Sequence, residues 1–532
     1  MSNTSASPRD FRQTLLAMLG LCFVLIMVAL DQTVIGTALP TVVAELHGFE
    51  WYAWVGTSYL LTSVVAVPIF GKLGDEHGRK RFVVAAIVLF TLASMLCGMA
   101  QSMLQLVLAR GLQGIGGGML MATAFASIPD LFPDPRQRLR WQVMFSASFG
   151  IANAIGPSLG GFLAEYWGWR WVFFVNLPVG LLSLLFVWRH LPVIRHSDAP
   201  PAPMDWLGAL LVAVCLGCLQ LFVEYLPQRH TLTPLLVLAA IGGLAAAVLI
   251  WWERRCPNPV IPLDMFTHHS IAPLLALSLL TGFCMFAVMY YTPLLFQGGF
   301  GLAPNAAGLL ITPFAVFITV GSITNGRIVT RLPRPNVMLY AGVMCFGVMA
   351  VSLALATAGT PHMAIMLAMM LGGTGIGMLL PNLTLFTQAA APRTRLGSAT
   401  AMLQSTRMVG GMLGTALVGT FVTHRYVAGV EKLLDGQAAA TWQSRLTEPQ
   451  ILVDHAMATT FATAASAAGQ DASALLAAAR AAFIDSVHHS QWLVAGLMLM
   501  LGLWLAWRVP PMSLHAKASL VVPDAGKDAP KA

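Results

Sequence analysis

The sequence predicts an all-α integral membrane protein, with fourteen transmembrane helices arranged as two six-helix bundles and two further helices inserted between them. Three observations carry that expectation. Of the 532 residues, 57% are hydrophobic and only 10% are charged, against about 25% charged in ordinary soluble domains. Fourteen stretches approach the roughly 20 apolar residues that a bilayer core asks of a helix. Finally, the chain repeats itself at a nearly constant offset.

The expected spans are 14–37, 52–71, 82–100, 103–127, 141–163, 171–190, 205–226, 232–252, 270–293, 305–326, 336–358, 361–388, 398–423 and 489–509. Before the first, Arg9 and Arg12 precede an apolar run of over twenty residues, longer than the ~7–15 of a signal peptide, so this helix is expected to stay as an anchor. With the N-terminus in the cytoplasm, Lys72, Arg79, Lys80 and Arg81, then Arg136, Arg138 and Arg140, and later Arg254, Arg255, Arg327, Arg331, Arg334, Arg393 and Arg395 all fall on inner loops. The net charge of +8 thus reports membrane orientation, and no nucleic-acid partner is expected. The outer segment 424–488 balances its bases with acids and has Ala-rich stretches, such as ASALLAAARAAFIDSV, that suggest short external helices.

GKLGDEHGRK (71–80) lies over GRIVTRLPRP (326–335) without a gap, so that Gly71 meets Gly326, Lys72 meets Arg327 and Arg79 meets Arg334. LQGIGGGML (112–120) lies over LGGTGIGML (371–379), and IGPSLGG (155–161) over LGTALVG (413–419). The expected organisation is a cytoplasmic tail (1–13), a six-helix bundle (14–190), an inserted pair (205–252), a second bundle (270–509) that includes the external loop 424–488, and a cytoplasmic tail (510–532). Two such halves related by an axis along the membrane normal are a transporter architecture, with the substrate path between them.

The seven cysteines mostly lie in apolar stretches, so neither a disulfide framework nor a metal site is expected. Cys215 and Cys218 form a CxxC inside a span and read as small packing residues. No cofactor motif, nucleophile set or nucleotide loop appears: GIGGG (114–118) sits within a span and follows no strand. An enzyme is therefore not expected.

Several short stretches carry chemistry. In the loop 71–81, Gly71, Gly74 and Gly78 give permissive backbone for a tight reversal, while Asp75, Arg79 and Lys80 can pair across helix ends. LARGLQGIGGGM (108–119) sets Arg110 in the fourth span, where a guanidinium costs on the order of 2.5–3.5 kcal/mol and asks for an acid or a cavity. FGIANAIGPSLGGFL (149–163) holds Gly150, Gly156, Pro157, Gly160 and Gly161, a close-packing face interrupted by a missing backbone donor.

These stretches resemble motifs of the major facilitator superfamily. The loop 71–81 is similar to its signature after the second helix, which implies a latch that governs switching on the cytoplasmic side; the second copy has Thr330 where Asp75 stands, which implies a weaker latch there. Arg110 falls on the family's fourth-helix motif, implicated in proton coupling, and the glycines of 150–161 on the fifth-helix motif that marks antiporters. LDQTVIGTALP (30–40), WRWVFFVNLPVG (169–180), DWLGAL (205–210) and YYTPLLFQGGFGLAPNAAGLLITP (290–313) look like the 14-helix drug:proton antiporter branch. The resemblance implies a multi-pass inner-membrane exporter of lipophilic or cationic small molecules, driven by protons. A periplasmic adaptor and outer-membrane channel are conceivable partners.

Candidate proton carriers are few. From Met265 to Val430 there is no Asp or Glu, so the second half offers no carboxylate within its spans before the external loop. Asp31 follows seventeen uncharged residues and lies about 10 Å inside the expected outer end of the first span. It reads either as a proton site with Arg110 as counter-charge, or as an interfacial acid wetted from outside. Arg407, within QSTRMVGGMLG, pairs with backbone carbonyls or reaches across to Asp31. Gln113, Tyr59, Phe286, Tyr290 and Gln404 complete the candidate substrate cavity; soft aromatic walls suit apolar ligands, and lipid contact equally. Two other readings stay open: an exporter of a specific metabolite, siderophore or lipid-like compound, and a membrane sensor or scaffold that transports nothing.

Overall fold

The computed structural model describes residues 11–46, 51–132, 134–193, 205–225, 232–257, 259, 263–302, 304–392, 395–433, 442, 446–447, 449–452, 455–468 and 470–512. Among them the chain is helical throughout, with no strand. In order, the helices are α1 (Phe11–Leu46), α2 (Tyr52–His77), α3 (Arg79–Gly98), α4 (Met103–Leu131), α5 (Pro135–Tyr166), α6 (Trp171–Phe174), α7 (Asn176–His190), α8 (Trp206–Tyr225) and α9 (Leu232–Glu253). There follow α10 (Asp264–Thr267), α11 (Ala272–Leu294), α12 (Pro304–Ile328), α13 (Val337–Ala354), α14 (His362–Ala390), α15 (Leu396–Leu433), α16 (His455–Ala467), α17 (Ala472–Gly496) and α18 (Leu503–Arg508).

Among the described residues, eleven helices are long and apolar enough to cross a membrane. This is a multi-pass membrane protein. The expected spans at 141–163, 205–226 and 398–423 fall on α5, α8 and α15, which stand outside those eleven. The first expected span, 14–37, falls on the apolar part of α1, and the helix itself runs on to Leu46. The Ala-rich stretch at 472–487 is no separate external helix but the first turns of α17, which continues through a wide turn at Leu497–Gly502 into α18. The calls on residues 1–10, 513–532 and most of 434–445 lie outside the described residues.

The duplication is visible in the packing. In the first half α1 packs on α5, α2 on α4, and α3 on both α4 and α7; in the second, α11 packs on α15, α12 on α14, and α13 on both α14 and α17. Each half has its own large apolar core, and each core draws on the other half: Val143 joins the second, and Ala401 joins the first with Met408 packed against it. The halves meet along α2 with α15 and along α5 with α12, pairs that the repeat exchanges. Where they cross, a side chain on Gly71 would strike Ala401, and one on Gly326 would strike Val143. The aligned glycines of the two loop copies therefore do the same work: they let the halves close on the side where the repeat loops lie. Helices α8 and α9 pack on each other, and α8 touches both α2 and α15.

Candidate functional site

Asp31 sits in the middle of α1, fifteen residues before its end at Leu46, or about 22 Å along the axis. It is 3% exposed, so the reading of an acid wetted from outside does not hold. Helix α4 brings Arg110 against it, with Nη1 of Arg110 2.6 Å from Oδ2 of Asp31. Gln113, one turn further along α4, donates to Oδ1 at 2.7 Å, and Asn176 at the start of α7 donates to the same oxygen at 3.3 Å. The carboxylate thus accepts from three side chains on two neighbouring helices, the kind of satisfaction a buried charge requires.

Arg110 is satisfied in turn. Its Nη1 also donates to Oε1 of Gln113 at 2.8 Å, its Nε to the Val55 carbonyl at 3.2 Å, and its guanidinium lies 4.5 Å over the Tyr59 ring. Room for this comes from glycines on α4: side chains at Gly114, Gly117 and Gly118 would strike Tyr59 and Ser63 on α2. Tyr59 and Gln113, expected in a substrate cavity, line the ion pair in this structure, at 1% and 0% exposure. Asn176 is the residue that sequence reasoning missed. It also donates to Ser94 on α3 at 2.9 Å, and Ser94 donates to the Phe173 carbonyl, so α3 and α7 are tied to the carboxylate.

The turn from α2 to α3 forms a second constellation; the expected loop 71–81 is helical up to His77 and again from Arg79, with Gly78 alone between. Gly78 has φ of 88°, a left-handed conformation that favours glycine and lets α3 begin at once. The Asp75 carboxylate crosses to the other half and accepts from the backbone N–H groups of Gly397 and Ser398, at 2.9 and 2.7 Å, and from the Ser398 hydroxyl at 3.0 Å. It thereby caps the N-terminus of α15, where free N–H groups and the helix dipole favour an anion. Arg79 holds Asp75 from behind at 2.7 Å, pairs with Asp130 of α4, and donates to the Ala126 carbonyl at 2.6 Å. Lys80 is half-buried beside this group. At the second copy Arg327 and Arg334 are exposed, and the side chain of Thr330 lies outside the described residues. Between the halves, Gln142 of α5 donates to Gln388 of α14 at 3.1 Å, and Gln388 donates to Thr400 of α15 at 3.2 Å.

On α5, Gly150 faces Thr319 of α12 and Gly156 faces Thr33 of α1, both too close for a side chain, and Gly160 is buried. The surroundings of Pro157 and Gly161 lie outside the described residues. The remaining cavity candidates do not join Asp31. Phe286 packs against Gly411, Tyr290 is exposed, and Arg407 is half-buried in α15, while every partner of Asp31 belongs to the first half. Gln404 is fully buried, with neither amide atom hydrogen-bonded. A groove of about 740 Å³ opens elsewhere, between α11 and α18.

The family model of the Major Facilitator Superfamily matches residues 21–415. The chain belongs to that superfamily. Among its relatives, Multidrug transporter protein MdtP of Bacillus subtilis is 33% identical over 431 residues, covering 79% of this chain and 77% of the relative. Multidrug resistance protein 3 of the same organism is 32% identical over 429 residues, covering 80% and 82%. The solved proton:xylose symporter XylE shares the superfamily fold, with a TM-score of 0.58 at 14% identity over 94% of this chain and 96% of that one. Its membership makes this chain a membrane transporter.

Proposed function

We propose that this major facilitator protein is a proton-coupled antiporter that exports lipophilic or cationic small molecules by alternating access, through fourteen membrane spans. The single observation that carries the coupling is the Asp31–Arg110 pair, buried at membrane depth with every acceptor of the acid occupied. While Asp31 is ionised it binds Arg110, Gln113 and Asn176 and holds α1, α4 and α7 together. A proton on Asp31 removes the charge that Arg110 answers and turns one acceptor oxygen into a donor. Breaking such a buried pair is worth about 3–5 kcal/mol, enough to bias a two-state transporter strongly. A cationic substrate approaching Asp31 would compete with the proton for the same charge, which is the exchange an antiporter needs.

The relatives named multidrug transporters support efflux as the direction. The basic inner loops support an inner membrane with both termini in the cytoplasm. Asp75 on the N-terminus of α15 then closes the cytoplasmic side, and the outward-facing state is the one it favours. The test is dye transport in everted vesicles under an imposed pH gradient. The wild type concentrates the dye and Asp31→Asn does not. Full gradient-driven uptake by Asp31→Asn would refute the proton site, and uptake without any gradient would refute antiport.

A further inference from the structure

The inserted helices have no counterpart in the repeat, and their ends nearest the switch loop carry buried charge. Asp205 begins α8 and is 7% exposed; Glu253 ends α9 and is 4% exposed. Asp205 accepts from the Gly208 N–H at 2.8 Å and from the Trp252 indole at 2.9 Å, so it caps α8 and ties α8 to α9. Glu253 has the less comfortable position, because a carboxylate at a helix C-terminus opposes the dipole and burial adds the cost of lost water. The two carboxylates converge over Gly208: a side chain there would strike Asp205 and come within 3.0 Å of Glu253 Oε1.

A buried cation of α2 lies beside them. Lys72, in the last turns of α2, is 4% exposed. Its ammonium donates to the Pro259 carbonyl, just beyond α9, at 2.5 Å; the carboxylate of Glu76, one turn on along α2, bears most on its charge, and those of Glu253 and Asp205 follow. Lys72 immediately follows Gly71, the residue that lets α2 close on α15, and stands three residues before Asp75. The neighbouring Arg254 and Arg255 point away and are exposed.

We infer that Lys72 fastens the inserted helix pair to the switch loop by docking into the buried acidic socket of Asp205 and Glu253, which makes α8 and α9 a working part of the gate. Helix α8 touches both α2 and α15, so a hairpin held by Lys72 travels with the first half and braces α15 only while the gate is shut. The three residues are positioning residues: they act through the seating of α2 rather than on a substrate. The inference rests on the alternating-access reading above.

The gate is read at Val143, which packs between the halves against Gly326. In a full-length chain with Val143→Cys and Cys256→Ser, a maleimide is applied from the switch-loop side, and modification at position 143 is followed by peptide mass spectrometry. Lys72→Gln and Glu253→Gln are each expected to speed modification roughly tenfold, within the range of coupling between sites, and the double variant no more than the larger single. Arg254→Gln is expected to change nothing. If Asp75→Asn speeds modification but Lys72→Gln and Glu253→Gln do not, or if their effects multiply independently, the fastening is wrong. If Asp75→Asn is silent as well, the gate itself is misread and the inference falls with it. Should a single Gln variant fail to fold, the exchange Lys72→Glu with Glu253→Lys restores folded yield if the socket is real and leaves it lost if it is not.

Discussion

In the first half, α4 places Arg110 and Gln113 against Asp31; at the matching positions of the second half, α14 carries Met369 and Gly372, and α11 has no acid. The first loop copy crosses to the other half with a carboxylate, Asp75, while α5 crosses to α14 through the neutral amides of Gln142 and Gln388. Helix order, partner choice and the gate glycines Gly71 and Gly326 are nevertheless alike. The comparison teaches that duplication supplies a hinged scaffold and that the buried ion pairs of Asp31 and Asp75 stand in the first half. Motion needs both halves, whereas coupling to protons needs a single buried acid with a partner it can lose.

The strongest way to break the comparison is to unbalance the charged half. Arg110→Met leaves Asp31 buried without its cation, and thermal unfolding in detergent at neutral pH should show a loss of about 3–5 kcal/mol. Asp31→Asn in the same chain, by removing the orphaned charge, should return part of that stability. Met369→Leu, the matching change in the second half, should cost under ~1.5 kcal/mol.

The shared gate sharpens the comparison from the other side. Gly71→Leu and Gly326→Leu should each oppose closure by about 1–3 kcal/mol of overpacking, equally, and spin labels on the two halves should report the same wider separation for both. Equal charge use would make the two latches equivalent as well, but they should differ. Asp75→Asn weakens a carboxylate on a helix N-terminus and should shift the same distance distribution by about 1–2 kcal/mol. Gln142→Leu removes a neutral bond and should shift it by about 1 kcal/mol or less.

The smallest effect is expected at Glu45, at the far end of α1, which pairs with Arg170 and accepts from the Trp169 indole at 2.9 Å. The Arg170 hydrogen bond holds its carboxyl below the usual carboxylate range. A lowered folded value means that any stabilisation is present above the unfolded value and is lost as pH falls through the folded one. Because the group is exposed, Glu45→Gln should leave transport and thermal stability unchanged at neutral pH.

Much of the scaffold was legible because lipid imposes a coarse code of long apolar runs, to which the chain adds a repeat. Asp31 and Arg110 were legible for the same reason, since an isolated charge in an apolar run must find a partner. Asn176 was not. An uncharged amide inside FVNLPVG violates no rule of the sequence, and only the approach of α7 to α1 and α3 gives it two partners. Gln113 and Tyr59 were noticed without their contacts, because whether a polar residue faces a cavity or an ion pair depends on the rotation of its helix. The socket of Lys72 was invisible, since it joins residues more than a hundred positions apart.

The central claim is that Asp31 gives up its proton when substrate binds. Its most direct test is proton release from purified protein in weakly buffered detergent, on addition of a lipophilic cationic dye that the wild type exports. The wild type should release protons as the dye saturates, and Asp31→Asn should bind the dye while releasing none. Equal release from both proteins would contradict the account.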